Sequence, residues 1–410
     1  MNAIKPQQPN ENECYKFMRL THILTLCLGL PFTRKKLNPK DEPNKDCDVA
    51  GYRYSFDKRM IPVWTAYLML NSFITYYNYN RGIGYIGDSF KKCFAESYCF
   101  AVIELANRNI GPTVFLISAM FYGGKYKARS LAGTERTLRF LKETNGGVEY
   151  AKRHLPAFNK FYSLAIICLY SSCLMMYSVS SNPAVVVLFI LNNMVMPAIL
   201  SLAQFQYGVL QMGYRRINDL IENRSANDNP KFTKLLFVRL TDRYTELSQL
   251  VENVNKSYVP ELLVRWPYTI ARLVMIFLRI TEYSSTLSGP HPIAAKLLTT
   301  EHVVEVMLFV FQNTYYCAVG TRLSNEAKRT LECLQKFKLR NEFKMDLEIK
   351  KTVRIFGIRA STHNVRASVG GFIITDMNFI RTVFTCVITY TLLLIQFRRE
   401  KGRSKPLYHT

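Results

Sequence analysis

The sequence predicts an all-α membrane protein: seven transmembrane helices, a cytoplasmic N-terminus, an extracellular C-terminus and long cytoplasmic helical extensions. Three observations lead there. The 410 residues are 49% hydrophobic, yet the net charge is +24 and the mean hydropathy is −0.02. The apolar residues gather into runs that reach the roughly 20 residues a helix needs to cross a bilayer core of about 30 Å. The basic residues gather between those runs, mostly on alternate connections. So much apolar content excludes a disordered basic chain. The clustering assigns the positive charge to an anionic membrane face rather than to nucleic acid.

Seven runs meet the length: about 60–79, 99–121, 161–180, 184–213, 267–288, 302–322 and 371–397. The strongest lies between Pro183 and Tyr214 and contains VVVLFIL and MVMPAILSLAQF. Pro197 inside it is expected to kink the helix, which a membrane bundle tolerates when neighbours satisfy the freed carbonyl. The weakest is 99–121, broken by Glu104, Asn107 and Arg108. A shorter run, 17–32, carries Arg19 and His22 and reads as an interfacial helix on the inner face. No small-residue cleavage site follows it, which argues against a signal peptide.

This divides the chain into a cytoplasmic N-terminal segment (1–59), transmembrane helices 1–4 (60–213) and a cytoplasmic amphipathic anchor segment (214–266). Helices 5–6 (267–322), a second cytoplasmic anchor segment (323–370), the last helix (371–397) and an extracellular tail (398–410) complete it. The inner segments hold 41 Lys and Arg and the outer ones 9. That asymmetry sets the orientation by the positive-inside rule. It is opposite to that of a G-protein-coupled receptor. The tail opposes it, with Arg398, Arg399, Lys401, Arg403 and Lys405 on the expected outer side.

The long inner connections have helical character. Phe237, Leu240, Tyr244, Leu247, Val251 and Val254 recur at alternating spacings of three and four, which places one apolar stripe on one helix face. That stripe has to be buried, either against Leu331, Leu334 and Phe337 of the same chain or against other copies. Asp242-Arg243-Tyr244 matches the D-R-Y of G-protein-coupled receptors, but it falls inside this stripe, far from any span. Gly82-Ile83-Gly84-Tyr85-Ile86-Gly87 spells the dinucleotide-binding glycine pattern without the strand and helix that pattern needs. It reads as a glycine-rich outer turn. Two glycosylation sequons, at Asn223 and Asn255, fall on the inner side.

No Cys or His spacing fits a metal site. Cys168, Cys173, Cys317 and Cys386 lie in apolar runs, where buried thiols are ordinary. Glu301-His302 with Glu305 is more economically a helix cap than a metal site. No catalytic constellation, cofactor site or metal site is predicted, so an enzyme is not expected.

The end of the last run carries the most specific signal. Thr389, Leu393 and Gln396 share one face of a helix, and Phe397 adjoins Gln396. An apolar ring followed by neutral amides suits the narrowing of a pore. The same face would also serve as an ordinary packing surface. Thr389-Tyr390, five mostly apolar places and Gln396-Phe397 resemble the C-terminal signature of the insect gustatory receptors. Thr391 departs from the apolar preference at the next place. The short N-terminal run ending Gly29-Leu30-Pro31, the seven spans and the amphipathic inner segments resemble that family's layout over most of the chain. Gly371 and Asp376 near the start of the last helix add to the likeness.

The resemblance implies a tetrameric, ligand-gated, non-selective cation channel of the plasma membrane of a sensory neuron, in its dendrite, axon or cell body. It is a homotetramer or a heterotetramer with other gustatory receptor subunits. Its partners are small-molecule tastants, permeant cations and membrane lipids. The last helix of each subunit lines the pore, with Gln396 and Phe397 at the narrowing, Leu393 below them and Thr389 on the same face. The family's ligand pocket opens outward within each bundle. Polar residues in outer or middle halves of the runs are its candidates, because such groups are costly in a bilayer. They are Glu104, Asn107, Arg108, Tyr170, Tyr177, Asn192, Asn193, Arg279, Glu282 and Tyr283. Neutralisation within one helix accounts equally for Glu104 with Arg108 and for Arg279 with Glu282. Sugar-sensing members usually carry Glu where Thr391 stands, which points to a bitter or other small-molecule tastant. A sugar or fructose ligand, an odorant-type subunit that needs a co-receptor, and a secondary transporter are the alternatives.

Overall fold

The computed structural model describes residues 32–36, 46–49, 52–56, 124–143, 183–224, 230–286, 292–343 and 345–403, with six isolated positions between 62 and 73. Over 183–199, 282–286 and 292–302 it describes the backbone alone. The expected spans 99–121 and 161–180, the glycine-rich turn and nearly all of the interfacial helix lie outside the described residues.

Seven helices occur among the described residues. They are α1 (Gly124–Glu143), α2 (Pro183–Glu222), α3 (Pro230–Ser257), α4 (Val259–Thr286), α5 (Pro292–Asn341), α6 (Leu347–Thr362) and α7 (Met377–Arg403). They do not map one-to-one onto the seven apolar runs. The fourth and sixth runs lie within α2 and α5 and most of the fifth and seventh within α4 and α7, whereas α1, α3 and α6 come from the basic connections. The helices continue past the expected ends of the runs. At 1.5 Å per residue, the 50 residues of α5 extend about 75 Å, well over twice a bilayer core. One end of the bundle therefore projects far beyond any membrane the other end crosses.

That projecting end is built on the amphipathic stripe of α3. All six of its residues are at most 3% exposed. Phe237 packs on Phe337 of α5, with ring centroids 4.8 Å apart. Tyr244 meets the edges of Tyr214 in α2 and Phe356 in α6. Of the two burial partners open from sequence, packing within one chain is what the fold uses. Tyr244, the third letter of D-R-Y, is core. Its neighbour Arg243 donates to the Arg136 carbonyl at 2.8 Å and covers the Phe140 ring.

Two small sheets were not expected. Strands β1 (Phe32–Lys36), β2 (Asp48–Val49) and β3 (Tyr52–Phe56) pair antiparallel in the order β1-β3-β2. β3 turns Tyr54 inward, where its hydroxyl donates to Glu135 of α1 at 2.6 Å. Strands β4 (Ser368–Val369) and β5 (Ile373–Ile374) form a hairpin. Its turn holds Gly370 and Gly371 at φ 64 and 83, a region that L side chains rarely adopt. This hairpin corrects the expected start of the last helix at 371. The backbone doubles back first, and α7 begins at Met377. Asp376 caps it, accepting from the amides of Asn378 and Phe379 at 3.0 and 2.9 Å.

Gly320 in α5 lets the segment after the hairpin press against it. A Cβ there would lie 2.6 Å from the Thr375 carbonyl oxygen. Gly320→Ala is expected to cost about 1–3 kcal/mol through displaced backbone, read as a lower unfolding temperature in detergent.

The projecting end also carries a proton linkage. The Cys333 thiol donates to Glu222 at 3.2 Å, and Arg329 donates to the same carboxylate at 3.1 Å. The Cys333 hydrogen bond, then the Arg329 contact, hold Glu222 below its usual range. Burial, aided by that carboxylate, pushes the Cys333 thiol up from 9.0 to about 12. Burial likewise lifts Tyr244 to about 12. At Cys333 and Tyr244 the folded chain thus keeps protons that the unfolded chain has lost, so their contribution is complete below the unfolded values and declines as pH rises towards 12, whereas that of Glu222 is lost only in acid. Unfolding temperature is expected to fall between about pH 8 and pH 10.5, and to fall less in Cys333→Ala.

Candidate functional site

The candidate site starts from how α7 is held. Ile380, Val383, Val387 and Thr391 are buried, the last at 8% exposure. This single stripe packs against α4 and α5. The Thr391 hydroxyl returns a 2.7 Å bond to the Val387 carbonyl, so its polarity is satisfied inside the stripe. The departure at this place therefore points into the chain's own bundle.

Met377, Phe379, Phe384 and Ile395 flank the stripe and are partly buried, while most other described side chains of α7 are uncovered. Ile388, Tyr390, Leu392 and Phe397 are each more than half exposed, and Leu393 is 41% exposed. Thr389 and Gln396 are exposed too. A residue two places from Val387 and from Thr391 points about 200° away from each, so Thr389 lies opposite the stripe. Leu393 and Gln396 continue its face, and Phe397 borders it. Arg381 is also exposed. Met377–Phe397 is, among the described residues, the one helical segment long and apolar enough to cross a membrane, and 17% of it is buried. The sequence leads one to expect seven spans. In 267–288 the charges Arg272, Arg279 and Glu282 dilute the apolar signal.

Of the ligand candidates, Glu104, Asn107, Arg108, Tyr170 and Tyr177 lie outside the described residues. Asn192 and Asn193 fall on α2, and Arg279, Glu282 and Tyr283 on α4, where the sites are placed by the helix backbone. No group of metal-binding residues occurs among the described residues.

Buried polar groups instead concentrate towards the projecting end. Lys127 of α1 and Glu261 of α4 form an ion pair, with side chains 5% and 1% exposed. The Tyr258 hydroxyl donates to Gln206 at 2.9 Å, and Gln206 donates to Ser130 at 3.2 Å. Arg265 donates to Gln312 at 2.8 Å, and Gln204 donates to the Gln312 carbonyl at 3.1 Å. Glu135 accepts from Arg139 as well as Tyr54. Sequence reasoning misses all of these residues. The available signal is Gln204, Gln206, Gln312 and Asn313 inside apolar runs, where amides need partners.

A 7tm chemosensory receptor profile matches residues 53–400. The chain belongs to that family. Its members are membrane-embedded ligand-gated channels rather than enzymes. The receptor's fold is similar to the olfactory receptor OR5 of Machilis hrabei, with a TM-score of 0.56 and 13% identity over 95% of this chain and 100% of that one. The same olfactory receptor in complex with eugenol aligns over the same shares, at 13% identity and a TM-score of 0.49. At this identity the likeness is one of fold. No curated protein matches the chain.

The receptor's Lys127–Glu261 pair offers a sharp test of the buried network. Lys127→Met leaves a carboxylate without its cation and is expected to cost about 3–5 kcal/mol. Adding Glu261→Gln is expected to restore most of that, measured by thermal unfolding in detergent.

Proposed function

We propose that the receptor is a taste receptor: a ligand-gated, non-selective cation channel opened by bitter or other small-molecule tastants. The observation that supports this best is the uncovered face of α7, which over 388–397 is apolar but for two hydroxyls and the Gln396 amide, with Arg381 exposed nearer its start. A single chain leaves that face largely uncovered. Four copies around an axis would bring four such helices together, with Leu393 forming an apolar constriction and Gln396 and Phe397 a ring above it. Thr389 lines the same path. The gustatory reading rests on the Thr389-Tyr390 and Gln396-Phe397 string. In this reading the N-terminus is cytoplasmic, the tail extracellular, and the receptor sits in the plasma membrane of a sensory neuron. The ligand pocket draws on Glu104, Asn107, Arg108, Tyr170, Tyr177, Asn192, Asn193, Arg279, Glu282 and Tyr283. Thr391, placed away from the uncovered face, weighs against a sugar site that relies on the family's usual Glu.

An odorant-type subunit is the second reading, favoured by the fold shared with an olfactory receptor. The two separate on co-receptor dependence: a taste receptor conducts alone or with other gustatory subunits.

The test is current recording in oocytes challenged with sugars, bitter alkaloids and amino acids. Ligand-evoked cation current is expected without G-protein signalling. Gln396→Ala and Phe397→Ala are expected to change ion permeability or open probability several-fold, beyond any change in half-maximal ligand concentration. Silence across the panel, with the protein shown at the cell surface, would contradict the channel reading. An antibody tag on the C-terminus that is reached only after permeabilisation would contradict the topology.

A further inference from the structure

Asn255 stands at the end of α3, and the sequence offers it only as a sequon. Its amide is fully engaged. The oxygen accepts the Tyr207 hydroxyl at 2.6 Å and the Ser368 amide at 3.2 Å. The nitrogen donates to the Arg366 carbonyl at 2.9 Å and to the Ser368 hydroxyl at 3.1 Å. Two lone pairs and two N–H groups are the whole capacity of an asparagine side chain. A glycan on this nitrogen would replace one of its two N–H groups, so at least one of these bonds would be lost.

The partners belong to two distant parts of the chain. Tyr207 lies in the middle of α2, fully buried, with its ring edge-on to Tyr316 of α5. Arg366 and Ser368 lie at the first strand of the hairpin from which α7 starts. That hairpin passes its position on. Thr375 donates its amide to the Ala367 carbonyl at 3.1 Å, and the first residue of α7, Met377, donates to Thr321 of α5 at 3.2 Å. The backbone of α2 is a continuous helix from Pro183, so Asn193 lies about 21 Å along it from Tyr207. A shift of α2 has to break the Tyr207 bond or carry the amide with it, because Asn255 has no spare bond to offer.

We infer that Asn255 is a positioning residue that ties α2 to the root of the last helix. Movement of α2 is thereby delivered to Ser368 and on to the start of α7. The link itself stands on the hydrogen bonds. Its consequence for gating rests on the channel reading.

Hydrogen exchange on the purified full-length chain tests the link without any ligand. Tyr207→Phe removes one hydroxyl, which touches none of the hairpin amides. It is expected to speed exchange across 366–369 and 375 by about fivefold or more, the effect of losing one hydrogen bond. Ser368→Ala is expected to speed the same amides. Asn255→Asp, which keeps both acceptor bonds, is expected to protect the Ser368 amide better than Asn255→Ala. Unchanged hairpin exchange in Tyr207→Phe, faster exchange confined to the neighbourhood of 207, or an even rise over all helices would each overturn the link. In oocytes, Tyr207→Phe is expected to alter ligand-independent current per surface channel while the sodium-to-potassium permeability ratio stays fixed. A positive exchange result in a chain that carries no current would retain the link and remove the channel reading.

Discussion

The last helix touches its own chain along one narrow stripe, and the rest of the molecule is arranged around that constraint. An apolar helix with most of its surface uncovered is unstable in water, since large side chains such as Phe397 and Leu392 are each worth about 1.5–3 kcal/mol on burial. Lipid satisfies the apolar part of that surface. It does not satisfy Thr389, Gln396 and the edge of Tyr390, which have polar groups to place. A surface that is mostly apolar with polar groups on one face suits a helix that meets lipid on one side and protein or water on another. Family membership supplies the setting: a membrane-embedded channel in which such a helix has a use.

Holding α7 by so little requires that its root be held well. The projecting end of the bundle provides this. Helices α2 and α5 are long enough to run from the membrane into it, and α3 inserts an apolar stripe between them and α6. Several of its buried polar groups are paired across helices. Lys127 with Glu261, and Tyr54 and Arg139 with Glu135, bind α1 to α4 and to β3. Such groups are costly when a partner is lost, so they penalise any slipped packing. The Tyr207–Asn255–Ser368 chain belongs to the same design, extended to the hairpin beneath α7.

Regular periodicity made much of this legible. The stripe from Phe237 to Val254 is a property of spacing alone, and its burial follows from it. The face shared by Thr389, Leu393 and Gln396 also follows from helical geometry, and it lies uncovered. What was hidden depends on partners distant in sequence. The strands β1–β3 are short and fall in the N-terminal segment, where no local pattern announces a sheet and the Tyr54 contact with Glu135 lies 81 residues away. The hairpin before α7 needs two glycines at positive φ and a neighbouring Gly320, a combination no local pattern announces. Asn255 looked like a glycosylation signal because a sequon is local, whereas its four bonds reach residues 48 and about 110 positions away. Buried ion pairs were invisible for the same reason: Lys127 and Glu261 are 134 residues apart.

The burial of α7 is graded, and the gradient has a mechanical meaning. Near its start, Ile380 and Val383 are buried, Asp376 caps the helix, and Met377 is bonded to α5. Val387 and Thr391 continue the stripe. Between Thr391 and Phe397 the burial falls to Ile395, which is partly covered, and Gln396 and Phe397 are exposed. Displacing the root would break hydrogen bonds and expose apolar area. Displacing the far end would break almost no contacts within the subunit. Motion delivered at the root, as we infer it, would therefore have its largest excursion at Gln396 and Phe397. Gln396 and Phe397, which carry half of the likeness to the gustatory receptors, are thus among the described residues of α7 least held by the single chain.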